Sequence, residues 1–213
     1  MIFEDRVDAA LRLAPRLAAL GLANPLWLAI PRGALPLAVA LAARLGGEVD
    51  VVLVRKLGAP GNPEFAVGAL AEDGQCIVLP WARQAGADEA WIAAERAREA
   101  VKIRARRALL TPQRQACPAT GRDVVVIDDG MATGATMQLA LMCVRAEQPA
   151  RLVCAVPVAS PDALARVRAL ADDVVCLSAP ADFSAVGQHY RDFAQVSDED
   201  AASLLRRARG EHP

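Results

Sequence analysis

Along this chain, apolar residues fall into two spacings, and the spacing predicts what each run forms. Five short runs are almost wholly apolar: residues 26–30 (LWLAI), 49–54 (VDVVLV), 124–127 (VVVI), 151–158 (RLVCAVPV) and 173–177 (DVVCL). Short apolar runs of this kind read as strands buried on both faces of a parallel sheet. Between them, residues 35–45, 137–144 and 161–170 read as helices. Residues 4–20 form another, with Val7, Ala10, Leu11, Ala14, Leu17 and Ala18 on one face. Pro15 is expected to kink or split it, and Gly21 to stop it. Residues 66–71 and 76–80 flank an Asp-Gly turn and read as a β-hairpin. Residues 88–110 predict a long helix with Trp91, Ala94, Val101, Ala105 and Leu109 as its apolar stripe. Its start is acidic and its end basic (Lys102, Arg104, Arg106, Arg107), as the helix dipole favours. Residues 111–121 read as a polar connection, and residues 198–209 as a terminal helix capped by Ser197.

The order is αβαβ, a hairpin, a long helix, then βαβαβ. That alternation implies an α/β fold, a parallel sheet flanked by helices. Right-handed crossovers put the strands' carboxyl ends at one edge, where such sheets bind ligands. A length of 213 residues fits a single domain, 1–213, with its core at about 26–177. Hydrophobic content of 54% supplies that core, and a net charge of −1 points to no nucleic acid and no membrane as partner. The basic end of the long helix has interleaved acids and no accompanying aromatics, so it reads as a solvated face. Five cysteines form no C-x-x-C pair; Cys143, Cys154 and Cys176 lie in apolar runs and read as core thiols. With a charged, amphipathic start and no bilayer-length apolar run, the expected location is cytoplasmic.

The chemistry concentrates after the third buried run. Asp128 and Asp129 follow it directly, and Ala132-Thr133-Gly134-Ala135-Thr136 then runs into a helix. Free N–H groups and the dipole at a helix start make an anion site. The hydroxyls of Thr133 and Thr136 can add hydrogen bonds, and two adjacent carboxylates suit vicinal sugar hydroxyls. The bland alternative is a turn with an N-cap. A second strand–loop–helix unit, Pro31-Arg32-Gly33-Ala34, makes a second candidate anion site, or a plain turn with an exposed arginine. Arg55-Lys56 ends the second apolar run, and two adjacent cations repel unless an anion lies between them. The Gly- and Pro-rich residues 57–65 read as an ordered or mobile flap.

The stretch from Val124 to Met137, VVVIDDGMATGATM, resembles the phosphoribosyl-pyrophosphate (PRPP) motif of type I phosphoribosyltransferases. One departure is Gly130, where that family usually has an aliphatic residue. Pro31-Arg32-Gly33 resembles the family's pyrophosphate loop, which contains a non-proline cis peptide, and Arg55-Lys56 resembles its pyrophosphate-binding Arg-Lys. With the later FSAVGQHYRDF, the chain is similar to uncharacterised bacterial phosphoribosyltransferase-like proteins. The resemblance implies transfer of ribose 5-phosphate from PRPP to a nitrogenous acceptor, with release of pyrophosphate and with Mg2+ on the PRPP oxygens. It implies Asp128 and Asp129 on the ribose hydroxyls, Asp128 meeting the metal through water. It puts the 5-phosphate on Ala132, Thr133, Gly134, Ala135 and Thr136, and the pyrophosphate on Arg32, Gly33, Arg55 and Lys56. Catalytic roles then fall to Asp128, Asp129, Lys56 and Arg32. Family members that use 6-oxopurines carry an Asp at the position of Ala132, which argues against hypoxanthine or guanine here. A variable hood covers the acceptor in that family; residues 1–22 and 178–213 are the candidates, with Phe65, Phe183 and Tyr190 as acceptor-binding aromatics or as packing. The resemblance leaves room for a homodimer. A PRPP- or nucleotide-binding regulator without turnover is the alternative, and a nucleotide hydrolase or phosphorylase is a third reading.

Overall fold

The computed structural model describes residues 1–112 and 115–210. The chain begins α1 (Arg6–Ala18), β1 (Leu26–Ala29), α2 (Leu35–Leu45) and β2 (Glu48–Val51). Then come β3 (Val54–Ala59), β4 (Asn62–Ala71), β5 (Cys76–Val78) and the long α3 (Glu89–Leu110). The second half alternates: β6 (Asp123–Ile127), α4 (Ala135–Ala146), β7 (Arg151–Val158), α5 (Pro161–Val167) and β8 (Asp173–Ser178). A 3-10 turn, Val186–His189, and α6 (Asp198–Ala208) follow. The polar connection expected at 111–121 lies partly outside the described residues.

Five strands form one parallel sheet in the order β2-β1-β6-β7-β8. Its strands are apolar on both faces because helices cover both. Trp27, Ala29, Val125, Ile127, Val153 and Ala155 pack in one core with α1, α2 and α6. Their neighbours Leu26, Leu28, Val124, Val126, Leu152 and Cys154 pack in a second core with α4 and α5. Strand order turns around at β1: the chain steps to β2 on one side and later returns to β6 on the other. The loops after β1 and β6 therefore flank the crevice where open α/β sheets take ligands.

β3, β4 and β5 form a separate antiparallel sheet, the small hood of this fold. Here the expectations for 49–54 and 57–65 are corrected. The second parallel strand ends at Val51; after Val52 and Leu53 the chain starts β3 in the other sheet. The expected flap is a hairpin, with Pro60 and Gly61 (φ 73°) forming its turn between Ala59 and Asn62. Proline followed by a positive-φ glycine suits the middle of a type II turn. The chain ends proposed as hood lie elsewhere and pack on each other: Phe3 N–H donates to the His189 carbonyl (2.8 Å), and Arg191 N–H to the Phe3 carbonyl (2.9 Å).

Two helix expectations also change. Pro15 does not split α1. Pro15 and Leu11 are exposed, so the Leu11 carbonyl that loses its donor faces water. In α3, Val101 and Leu109 are exposed, and the buried face is Glu99, Ile103, Arg107 and Leu110. The charged members bury because they are paired. Arg107 donates to Glu72 through Nε (2.7 Å) and Nη2 (2.6 Å), and to the fully buried Asp50 through Nη1 (2.7 Å).

Candidate active site

The two loops expected to carry chemistry meet at the switch point. After β1, the Pro31–Arg32 peptide is cis. Gly33 lies so close to the other loop that a Cβ there would sit 2.1 Å from Asp129 Oδ2. Glycine is needed at 33 for that approach, not for a special φ. After β6, Asp128 and Asp129 are half-buried, while Ala132, Thr133, Ala135 and Thr136 are exposed. Gly134 is buried in the left-handed conformation (φ 72°) and turns the chain into α4.

The helix starts at this edge are unusual for the molecule. α1, α3, α5 and α6 each begin with a side-chain cap: Asp5, Asp88, Ser160 and Ser197. α2 and α4 begin with Ala34 and Gly134 and have no side-chain cap. Among the described residues, only the two α-helices that start at the switch point lack a side-chain cap from their N-cap residue; in α4 the Ala135 N–H makes one long bond, to Thr133 Oγ1 (3.4 Å). Uncapped amides with the dipole behind them favour an anion.

The acid pair is electrostatically loaded. Burial pushes Asp128 well above the ordinary carboxylate range, and the charge of Asp129 adds to that. Burial also raises Asp129, against the pull of Arg6. Arg6, which the sequence leaves open as one of a ligand-facing Asp5-Arg6 pair or as part of a solvated helix start, is at the acid pair. Its Nε donates to Asp129 Oδ2 (2.9 Å), Nη2 lies 2.9 Å from the same oxygen, and Nη1 donates to the Ala194 carbonyl (2.8 Å). The guanidinium also lies 4.1 Å over the Phe193 ring. Tyr190 donates to the Asp129 carbonyl (2.6 Å). Both chain ends thus hold Asp129.

Tyr190 is corrected as an acceptor-stacking residue. It is buried, and its ring packs against Phe3 (centroids 5.3 Å apart) and Phe193 (5.0 Å). Phe183 stacks on His189 (5.6 Å). Phe65 stays exposed on β4.

The cations divide. Residues 55 and 56 sit on a strand, where neighbours face opposite ways. Arg55 donates to Glu99 (2.7 Å) and lines a cavity of about 270 Å³ with Pro31, Lys102, Arg106 and Thr136. Lys56 does not line it; its Nζ donates to the Glu64 carboxylate (2.9 Å) and carbonyl (3.1 Å) across the hairpin. The expectation that this pair faces one anion is therefore corrected: each has its own carboxylate. Burial would push Glu99 up, but Lys102 and Arg55 hold it below the ordinary glutamate range. Arg32 lies 3.2 Å from Asp198, which also receives Arg106 (2.5 Å). Lys102 and Arg106, read as a solvated face, are at the site.

Gly130 is explained by packing. A Cβ there would lie 2.5 Å from Val186 Cγ1 and 3.1 Å from Val158 Cγ1. Val186 of the tail's 3-10 turn fills the space beside position 130. A model of the phosphoribosyl transferase domain matches residues 7–192. The chain belongs to this family. Counterparts from two strains of Mycobacterium tuberculosis, provisionally named phosphoribosyl transferases, are 41% identical over 208 residues, 97% of this chain. The chain spans 47% of the length of those relatives. A crystal structure of a Thermus thermophilus protein is 50% identical and superimposes with a TM-score of 0.91, over 97% of this chain and 99% of that one. A hypoxanthine-guanine phosphoribosyltransferase from Bacillus anthracis, 13% identical, shares the fold at a TM-score of 0.50, covering 90% of this chain and 92% of that one. Within this phosphoribosyl transferase domain, no described helix is long and apolar enough to cross a membrane.

Proposed function

We propose that this domain binds PRPP and transfers its ribose 5-phosphate to a nitrogenous acceptor, releasing pyrophosphate. The observation that carries the reading is the pair of uncapped helix starts flanking a half-buried acid pair at the switch point. A doubly phosphorylated sugar matches that layout, with an anion at each loop and hydroxyls between them. The amides of α4's first turn, with Thr133 and Thr136, take the 5-phosphate. Asp128 and Asp129 take the ribose hydroxyls, and Arg32, the Gly33 backbone and Arg55 take the diphosphate. Lys56 joins them only on leaving Glu64.

In the reaction, the acceptor nitrogen forms a bond to ribose C1. The C1–O bond to the diphosphate breaks with its electron pair on the leaving oxygen, and the acceptor's proton passes to solvent. The protein's part is positional and electrostatic: it holds the ribose and neutralises the leaving group. Among the described residues no three His, Cys, Asp or Glu side chains gather as a metal cage. Asp128, a half-buried carboxylate that accepts one backbone N–H, fits Mg2+ carried on substrate oxygens, which uses few protein ligands. Asp128 would hold it through water, and the ion would supply charge neutralisation. Ala132 offers no proton acceptor where 6-oxopurine enzymes of the resembled family have Asp, so an acceptor outside that class is favoured. A cytoplasmic setting fits this chemistry.

The test is a melting curve with PRPP and Mg2+, followed by pyrophosphate release on adding candidate bases and amines. Ligand at a hundredfold its Kd stabilises the native state by about 2.7 kcal/mol. No shift at millimolar PRPP would remove the phosphoribosyl reading. A shift with no pyrophosphate release from any acceptor would identify a PRPP-binding regulator instead.

A further inference from the structure

We propose that Arg106 of α3 grips the diphosphate of PRPP together with Arg32, and that Asp198 of α6 occupies both arginines until that ligand arrives. The inference rests on the phosphoribosyl reading above, and it adds two residues that lie outside the loops already assigned. Three segments distant in sequence converge here. Arg32 Nη1 lies 3.2 Å, and Arg106 Nη1 2.5 Å, from the same oxygen, Asp198 Oδ1. An isolated exposed ion pair carries little meaning, since such pairs contribute almost nothing to stability. Two arginines drawn to one carboxylate oxygen are different. One negative charge balances two positive ones, and each guanidinium keeps further N–H donors free.

The surroundings give those donors a direction. Arg106 lines the cavity of about 270 Å³ whose other walls include Pro31 of the first loop and Thr136 at the start of α4. Arg55 and Lys102 line it too, and both bind the single carboxylate of Glu99. Three cations, Arg55, Lys102 and Arg106, thus line this space and, among the described residues, no carboxylate does; Arg32 stands beside it, next to Arg106 at Asp198. Asp198 presents one oxygen to the two arginines, whereas a diphosphate presents several and can be held bidentately by each. The side chains of Arg32, Arg106 and Asp198 are 33%, 28% and 35% exposed, so ligand and carboxylate can exchange without opening a core.

The experiment is calorimetric titration of the full chain with inorganic pyrophosphate and, separately, with ribose 5-phosphate. Arg106→Gln should weaken pyrophosphate about tenfold, the loss expected of a charge-assisted hydrogen bond, and leave ribose 5-phosphate unchanged. Asp198→Asn should tighten pyrophosphate, because the internal competitor loses its charge. Unchanged pyrophosphate affinity in Arg106→Gln would overturn the proposal, as would an equal loss for both ligands. Weaker pyrophosphate binding in Asp198→Asn would overturn the competitor role and make Asp198 a support for the arginines. Wild-type protein that binds neither pyrophosphate nor PRPP with Mg2+ would remove the phosphoribosyl reading itself, a result distinct from all of these.

Discussion

The acids beneath α3 and the acids after β6 are both drawn out of water, and the fold treats them in opposite ways. Asp50 is fully buried and well partnered: it accepts from Arg107 (2.7 Å) and from the backbone N–H groups of Val51 and Cys117 (2.8 Å each), and the Arg209 guanidinium lies 2.8 Å away as a second positive charge. Glu72 takes two further bonds from Arg107. Asp128 accepts a bond from the Asp129 N–H (2.9 Å), and among the described residues no cation pairs with it. Burying a charge is tolerable when its lone pairs are filled and costly when they are not. The first cluster joins β2, α3, the hood and the tail. In the second, Asp129 has Arg6, whereas Asp128 is left short of partners at the place where a polar ligand would bring them.

The sharpest break of this comparison is Arg107→Met. Removing one partner of a buried ionic cluster leaves Asp50 and Glu72 uncompensated, and the expected loss is about 3–5 kcal/mol in urea unfolding. PRPP affinity of the folded fraction should stay the same. A loss below about 1 kcal/mol would place the cluster among weak surface pairs.

Asp128→Asn should do the reverse and stabilise the ligand-free protein. Burial and Asp129 raise Asp128 above its unfolded value, so the folded state binds that proton more tightly. The resulting stabilisation is full below the ordinary carboxylate range and is lost as pH rises through the folded value. Melting curves from about pH 4 to about pH 8 should therefore show the variant gaining on wild type as pH rises. Its response to PRPP should shrink. A variant less stable than wild type at pH 8 would contradict the picture of an under-partnered acid.

The smallest effect tests the contrast between capped and uncapped helices. Asp88 accepts from Trp91 N–H (2.8 Å) at the start of α3. Asp88→Ala should cost about 1 kcal/mol in denaturant unfolding and leave PRPP affinity unchanged. Thr136→Val, at the uncapped start of α4, should leave stability within about 0.5 kcal/mol and weaken PRPP in calorimetry. Matching effects of the two substitutions on stability and binding would erase the distinction.

Local pattern made the parallel sheet legible. Strands such as 124–127 are buried on both faces and read the same from either side, and both loops abut them in sequence. The hood was harder to read, because Val49 to Val54 is continuously apolar although the chain changes sheets within it. Pattern also misplaced the buried face of α3. Hydrophobic spacing selects Val101 and Leu109, whereas that face is anchored by Glu99 and Arg107, whose partners lie on other elements. Arg106 and Asp198 stayed invisible, and Arg6 undecided, for the same reason: a long-range ion pair has no local spacing. Tyr190 was legible as a tail aromatic, but its partner, the Asp129 carbonyl, was not.

Gly130 ties the site to its tail in one more way. The side chain missing at 130 is supplied across space by Val186, so two segments separated by α4, β7, α5 and β8 share one volume. The loop and the tail are therefore not interchangeable modules. A chimera that takes its loop from one relative and its tail from another inherits either a hole or a collision under the acid pair. In descent these two positions are expected to be traded together, a bulky residue at one permitted only by a small one at the other.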